Sequence, residues 1–168
     1  MIRDAVPDDA AAISAIYNAT VPTTTAAWTE EPETLATRHA WLEHQASAGN
    51  AVLVAEVAGA VVGFAAYGDF RDAAKWPGYR FTVENTVHVA ADHQALGIGS
   101  ALMVELMGRA AAAGKRTMVA AIDGANEGSL RFHQRLRFVE TARMPQIGFK
   151  FGRWLDLVLV QRRLDPDT

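Results

Sequence analysis

The run from Val83 to Gly99 passes from a strand, through a sharp turn, into a helix. Val83, Val87 and Val89 alternate with Glu84, Thr86 and His88, which is the two-residue period of a β-strand. Gly97 and Gly99 then open a segment where Ile98, Leu102, Leu106 and Ala110 recur at four-residue spacing with Met103 and Met107 beside them, the apolar stripe of a helix. A strand that turns at once into an amphipathic helix commits the chain to helices layered on a sheet. The turn also has chemistry. The first amides of a helix have no intrahelical acceptor, the helix dipole favours negative charge there, and glycine lets a phosphate come close. Two glycines alone describe an unliganded strand–turn–helix corner equally well. A Walker A loop needs Gly-Lys-Ser/Thr, and Gly99 is followed by Ser100 and Ala101. A dinucleotide fingerprint needs a third glycine at the position of Leu102.

The rest of the chain fits one domain. Its 168 residues suffice for a sizeable core, and half of them are hydrophobic. The net charge of −3 favours neither nucleic acid nor an anionic membrane as partner. There is no cysteine, which excludes disulfides, thiolate metal sites and a cysteine nucleophile. No signal core and no run of membrane-spanning length stands out, so a soluble cytoplasmic protein is expected. The pattern predicts strands at 1–6, 51–57, 60–69, 80–90, 116–122, 138–143 and 153–164, and helices at 8–20, 32–48, 98–113 and 127–136. Pro7 and Pro32 mark helix starts, and Ala58-Gly59 marks a tight hairpin. This order predicts an α+β, three-layer fold, with a mixed central sheet flanked by helices, over residues 1–164 and a loose tail at 165–168.

Gln94-x-x-Gly97-x-Gly99 after a Val-x-Val strand, with the small Ala95 following the Gln, resembles the pyrophosphate loop of the GNAT acetyltransferase superfamily, which binds acetyl-CoA. Asn126-x-x-Ser129-x-x-x-His133-x-x-x-x-Phe138 is similar to a second superfamily segment, whose first and third marked positions face CoA. Here His133 stands where that segment has Tyr, and Arg137 where it has Gly. Residues 79–89 and 144–157 look like one branch, the N-acetyltransferases of phosphinothricin, methionine sulfoximine and methionine sulfone; Asn85 and His88 depart from its usual pattern. The resemblance covers nearly the whole chain and implies the superfamily fold, acetyl-CoA as co-substrate and a small amino-acid-like substrate.

Acetyl transfer to an amine needs a base for the ammonium, polarisation of the thioester carbonyl and control of the leaving thiolate. Glu84, mid-strand, is the candidate base; otherwise it is a solvent-facing carboxylate. The backbone of Val87, His88 and Val89 suits the pantetheine amides as an added strand would. Gln94, Ala95, Leu96, Gly97, Ile98, Gly99 and Ser100 form the pyrophosphate cradle, and Asn126 and Ser129 the second CoA-facing segment. His133 either protonates the thiolate or only lines the CoA channel. Arg71 and Arg80 are candidates for the substrate's carboxylate or sulfone-like oxygens, with Trp28 and Tyr79 as an apolar wall. The resemblance brings the segment of Lys150, Phe151 and Arg153 to the site, across the interface of a homodimer. His39 and His44 lie five apart with no carboxylate motif, so no metal is expected. Two rivals remain: an acetyltransferase for another small amine, and a non-catalytic acyl-CoA-binding module, which need not keep Glu84.

Overall fold

The computed structural model describes residues 1–164, so the expected tail at 165–168 lies outside the described residues. The elements are β1 (Ile2–Asp4), α1 (Ala10–Thr20), α2 (Leu35–Ser47), β2 (Val52–Val57), β3 (Ala60–Asp69), β4 (Thr82–Val89), α3 (Ile98–Ala112), β5 (Thr117–Asp123), α4 (Glu127–Arg135), β6 (Val139–Lys150) and β7 (Arg153–Arg163). The strands form one sheet in the order β1-β2-β3-β4-β5-β7-β6. Every neighbouring pair is antiparallel except β4 with β5.

Strand alternation builds two cores. Val52, Val54, Phe64 and Ala66 turn to one face, where Ile13 and Ile16 of α1 cover them. Leu53, Ala55, Ala65 and Tyr67 turn to the other, where Leu102, Met103, Leu106 and Ala110 of α3 complete the larger core. The apolar stripe predicted for 98–113 is thus the buried face of α3. Ala58 and Gly59 both take positive φ, 50° and 81°, as a two-residue hairpin turn demands.

Several boundaries differ from expectation, the strand expected at 1–6 being Ile2–Asp4 and that at 80–90 being Thr82–Val89, and three more differences bear on the fold. The second helix starts at Leu35 rather than Pro32, because the Thr34 side chain accepts from the Thr37 amide and caps it there. The first helix starts at Ala10, after a short 3-10 turn at Pro7–Asp9. The strand expected at 138–143 runs on to Lys150, through register shifts between Glu140 and Ala142 and between Met144 and Gly148. Pro145 looks like a strand breaker, but β6 is the outermost strand of its side, where a missing N–H costs no ladder bond.

Candidate active site

The parallel pair β4 and β5 is joined only at its start, where Thr82, Val83 and Glu84 face Thr117, Met118 and Val119. Past Glu84 the two strands have no paired residues, while β4 keeps its ladder to β3 through Val89. The split opens a pocket lined by Thr25, Glu84, Asn85, Asp123, Asn126 and His133, among others. Glu84 and Asn85 are adjacent on a strand and so project to opposite faces of the sheet. Glu84 shares its face with Asp123 and Thr25, and Asn85 turns toward α4 and His133.

Glu84 is partly buried, and that burial raises its carboxyl pKa above the usual range. Its carboxylate has no hydrogen-bond or ion-pair partner among the described residues. Asp123 is the opposite case. Burial pushes its pKa up, but the Thr25 hydroxyl at 2.6 Å, the Ala125 amide at 3.1 Å and the Arg153 guanidinium at 3.3 Å outweigh it, and the net shift is down. One carboxylate is therefore poised to take a proton and the other stays ionised.

The His88 imidazole is packed between aromatic rings. Its ring stacks on Phe64, centroids 5.3 Å apart, with Tyr17 edge-on at 5.4 Å. Burial, with Arg38 nearby, lowers its pKa to about 4, so it is neutral at neutral pH. His88 and Val87 both line the pocket.

The turn from Gln94 to Gly99 has the conformation an anion cradle needs. Gln94 Nε2 donates to the Val89 carbonyl at 3.2 Å and ties the turn back to β4. Ala95 and Gly97 take φ of 61° and 82°; glycine adopts this conformation freely at 97, whereas Ala95 holds it against the penalty of its Cβ. Gly97 is the N-cap of α3, and no side chain caps the amides that follow. The amides of Ile98, Gly99 and Ser100 are thus left to an external acceptor, and Leu96 stands exposed beside them.

In α4, the Asn126 side chain accepts from the Ser129 amide at 3.0 Å and caps the helix at the pocket. His133 is buried, edge-on to the rings of Phe132 and Phe138. Its Nδ1 lies 2.9 Å from the Ser129 carbonyl and its Nε2 lies 3.4 Å from Asn85 Oδ1. Burial lowers its pKa, and the Ser129 carbonyl works against that shift.

The expected substrate-binding residues are placed elsewhere. The Trp28 ring lies on Gly148 so closely that a Cβ there would fall 2.1 Å from it. The Arg71 guanidinium sits over the Phe70 ring, whose centroid is 6.0 Å from that of Tyr79. Arg80 donates to the Pro77 carbonyl at 2.8 Å and covers the Phe81 ring. None of these four residues lines the pocket. Lys150 needs a correction. It is fully buried, and its ammonium donates to the carbonyls of Val21, Thr24 and Ala27 at 2.7, 2.8 and 2.6 Å. All three N–H donors are used, so none is left for a substrate. Lys150 instead shapes the loop that carries Thr25 into the pocket.

Sequence reasoning missed Thr25 and Asp123 as neighbours in the site, whereas Arg153, expected there from the resemblance, bonds to Asp123. In sequence, Asp123-Gly124-Ala125-Asn126 fits a turn and Thr25 is one of several threonines in a row. Only a contact across 98 residues joins them. Among the described residues no His, Asp and Glu cluster forms a metal-ligand set, and no helix is long and apolar enough to cross a membrane.

A helix-flanked mixed sheet split between two parallel strands, with a glycine turn below the split, is the architecture of an acyl-group transferase. The chain belongs to the acetyltransferase (GNAT) family, whose model matches residues 13–138. It is 48% identical over 166 residues to the L-methionine sulfoximine/L-methionine sulfone acetyltransferase of Pseudomonas paraeruginosa, covering 98% of this chain and 95% of that one. It is 47% identical over 167 residues to the L-amino acid N-acyltransferase MnaT of Escherichia coli, covering 99% and 95%. The solved structure of a putative acetyltransferase from Salmonella typhimurium with its cofactor acetyl-CoA superposes with a TM-score of 0.94 at 44% identity, covering 99% of this chain and 95% of that one.

Proposed function

We propose that this protein transfers acetyl from acetyl-CoA to the α-amino group of a small amino acid, with methionine sulfoximine, methionine sulfone and phosphinothricin as the preferred set. The observation that carries this reading is the unpartnered, partly buried Glu84 carboxylate at the point where β4 and β5 part. The names of the relatives support the substrate class, and the uncapped amides of Ile98 to Ser100 fit a pyrophosphate.

The residues divide the work by face. Glu84 takes a proton from the substrate ammonium, and the freed amine attacks the thioester carbonyl, forming the C–N bond as the C–S bond breaks. The nitrogen loses two protons in all; one is balanced by the thiol and the other goes to solvent. A β4 backbone amide in the Val87–Val89 stretch polarises the carbonyl. His133, reached from the opposite face, supplies the proton to the departing sulfur. Asn126 and Ser129 line the CoA side. Arg71, Arg80, Trp28 and Tyr79 belong to a rim that meets the substrate only if the 70–81 segment closes on it, whereas Arg153 already reaches the pocket through Asp123. The protein works as a cytoplasmic homodimer, which would cover Met144, Ile147, Phe149, Phe151 and Trp154, the exposed apolar side chains of β6, β7 and their turn.

A thiol-release assay compares methionine sulfone, methionine and spermidine. A thioether is a feeble acceptor, and an unpaired buried donor costs about 1–3 kcal/mol, so the sulfone should lead methionine by about tenfold or more in kcat/KM. Spermidine turnover equal to that of the sulfone would overturn the amino-acid substrate and leave the acetyl-CoA half.

A further inference from the structure

His133 and Asn85 are held by partners that leave each only one orientation. The Ser129 carbonyl can only accept, so the ring nitrogen 2.9 Å from it carries a hydrogen, and neutral His133 is the Nδ1–H tautomer. The Val119 carbonyl can likewise only accept. The Asn85 group 3.0 Å from it is therefore the NH2, and the amide oxygen is the atom turned to His133. The bare lone pair of Nε2 then faces the lone pairs of Asn85 Oδ1 at 3.4 Å. Two acceptors in a buried site repel one another. A proton on Nε2 turns the contact into a charge-assisted hydrogen bond.

We propose that Asn85 is a positioning residue for the acetyl transfer: its amide oxygen, fixed by the Val119 carbonyl, raises the proton affinity of His133 Nε2 and holds there, across a long 3.4 Å contact, the proton that leaves this weak bond for the departing thiolate. This rests on the acetyltransferase reading above. It gives a reason for the buried amide at position 85, which supports no other side chain. It also opposes burial, which alone would keep the imidazole neutral.

The other charges around His133 are accounted for. From β4 the pocket holds Glu84 and the neutral His88, and from β5 it holds Asp123, already engaged by Thr25 and Arg153. On α4, Glu127 and Arg131 pair with each other and Arg135 is exposed. Phe132 and Phe138 close the remaining sides with ring edges.

Nitrogen-15 NMR of histidine-labelled protein tests this, with the His133 signals assigned by their loss in His133→Gln. In the wild type the neutral ring should be protonated at Nδ1. Its titration midpoint should fall in Asn85→Val, which removes the facing oxygen, and rise in Asn85→Asp, which places a carboxylate there. The matching limb of the kcat–pH profile should move the same way in both variants, with KM for acetyl-CoA unchanged. A purely structural amide would lower kcat at every pH and leave the midpoint in place. If Asn85→Asp does not fold, Asn85→Val and the wild-type tautomer still decide. A neutral Nε2–H tautomer, or a midpoint unmoved in Asn85→Val, overturns the proposal whatever the activity. A wild-type protein that shows the NMR behaviour but transfers no acetyl group overturns the enzymatic reading instead.

Discussion

The Thr25 hydroxyl donates to the Asp123 carboxylate at 2.6 Å, fastening the loop after α1 to the end of β5 and closing one wall of the pocket. Thr25→Val keeps the shape and removes the donor. Loss of a hydrogen bond to a charged group should cost about 1–2 kcal/mol at pH 7. The pH dependence has a definite sign. The Asp123 pKa is lowered in the folded state, so its stabilisation is present above the unfolded carboxylate pKa and is lost as pH falls through the folded value. Urea unfolding should show a wild-type advantage at pH 7 that narrows toward pH 3; an equal deficit at both values would mean the hydroxyl does not act through the ionised carboxylate.

Lys150 holds the same loop from the other side. Lys150→Met fills the volume but leaves three carbonyls without their donor. The variant should be less stable by on the order of 2–3 kcal/mol, visible as a lower Tm. KM for the amine substrate should rise because Thr25 and Ala26 line the pocket, while acetyl-CoA affinity stays near wild type. An unchanged Tm would contradict the buried, carbonyl-bound ammonium.

Much of this architecture can be read from residue order, and the exceptions have physical causes. The Val83–Gly99 run is visible because period-two and four-residue spacings are local, and the positive φ at Gly97 is one that glycine adopts freely. Lys150 was misplaced because a lysine in a family-like segment reads as an exposed charge. What buries it is a carbonyl triad formed by a loop more than a hundred residues earlier in the chain. The full length of β6 was hidden for a similar reason. Pro145 and Gly148 look like breaks until the strand is known to lie at the sheet edge, with Trp28 filling the space a side chain at 148 would need.

Arg137 tests backbone strain directly. It follows Leu136, the C-cap of α4, at a φ of 62°, and its amide donates to the Gln134 carbonyl in a glycine-type helix stop. A non-glycine residue in this conformation costs roughly 1–2 kcal/mol, and part of that gain is offset by the extra freedom of glycine in the unfolded chain. Arg137→Gly should raise stability by about 0.5–1 kcal/mol in a denaturant titration. A loss of stability would show that the arginine side chain has a compensating contact.

Gly99→Asp places a carboxylate at the uncapped start of α3. A Cβ at position 99 would meet the Phe132 ring at 3.4 Å, close but not blocked, so charge dominates the effect. Repulsion of the pyrophosphate should weaken acetyl-CoA binding by on the order of 2–4 kcal/mol. Calorimetry showing wild-type affinity would move the phosphate site away from this turn.

Glu84 is the base of the proposed mechanism, and the kcat–pH profile of Glu84→Gln beside the wild type tests it most directly. Glutamine preserves size and polarity but cannot take the ammonium proton. The wild type should lose activity as pH falls through a Glu84 pKa lying above the usual carboxylate range, because the protonated acid is no base. In Glu84→Gln that limb should vanish, and kcat at pH 7 should drop about a hundredfold, recovering in part at high pH where free amine accumulates. Acetyl-CoA affinity should stay unchanged. A variant that keeps near wild-type turnover at pH 7 and the same acid limb would contradict Glu84 as the base.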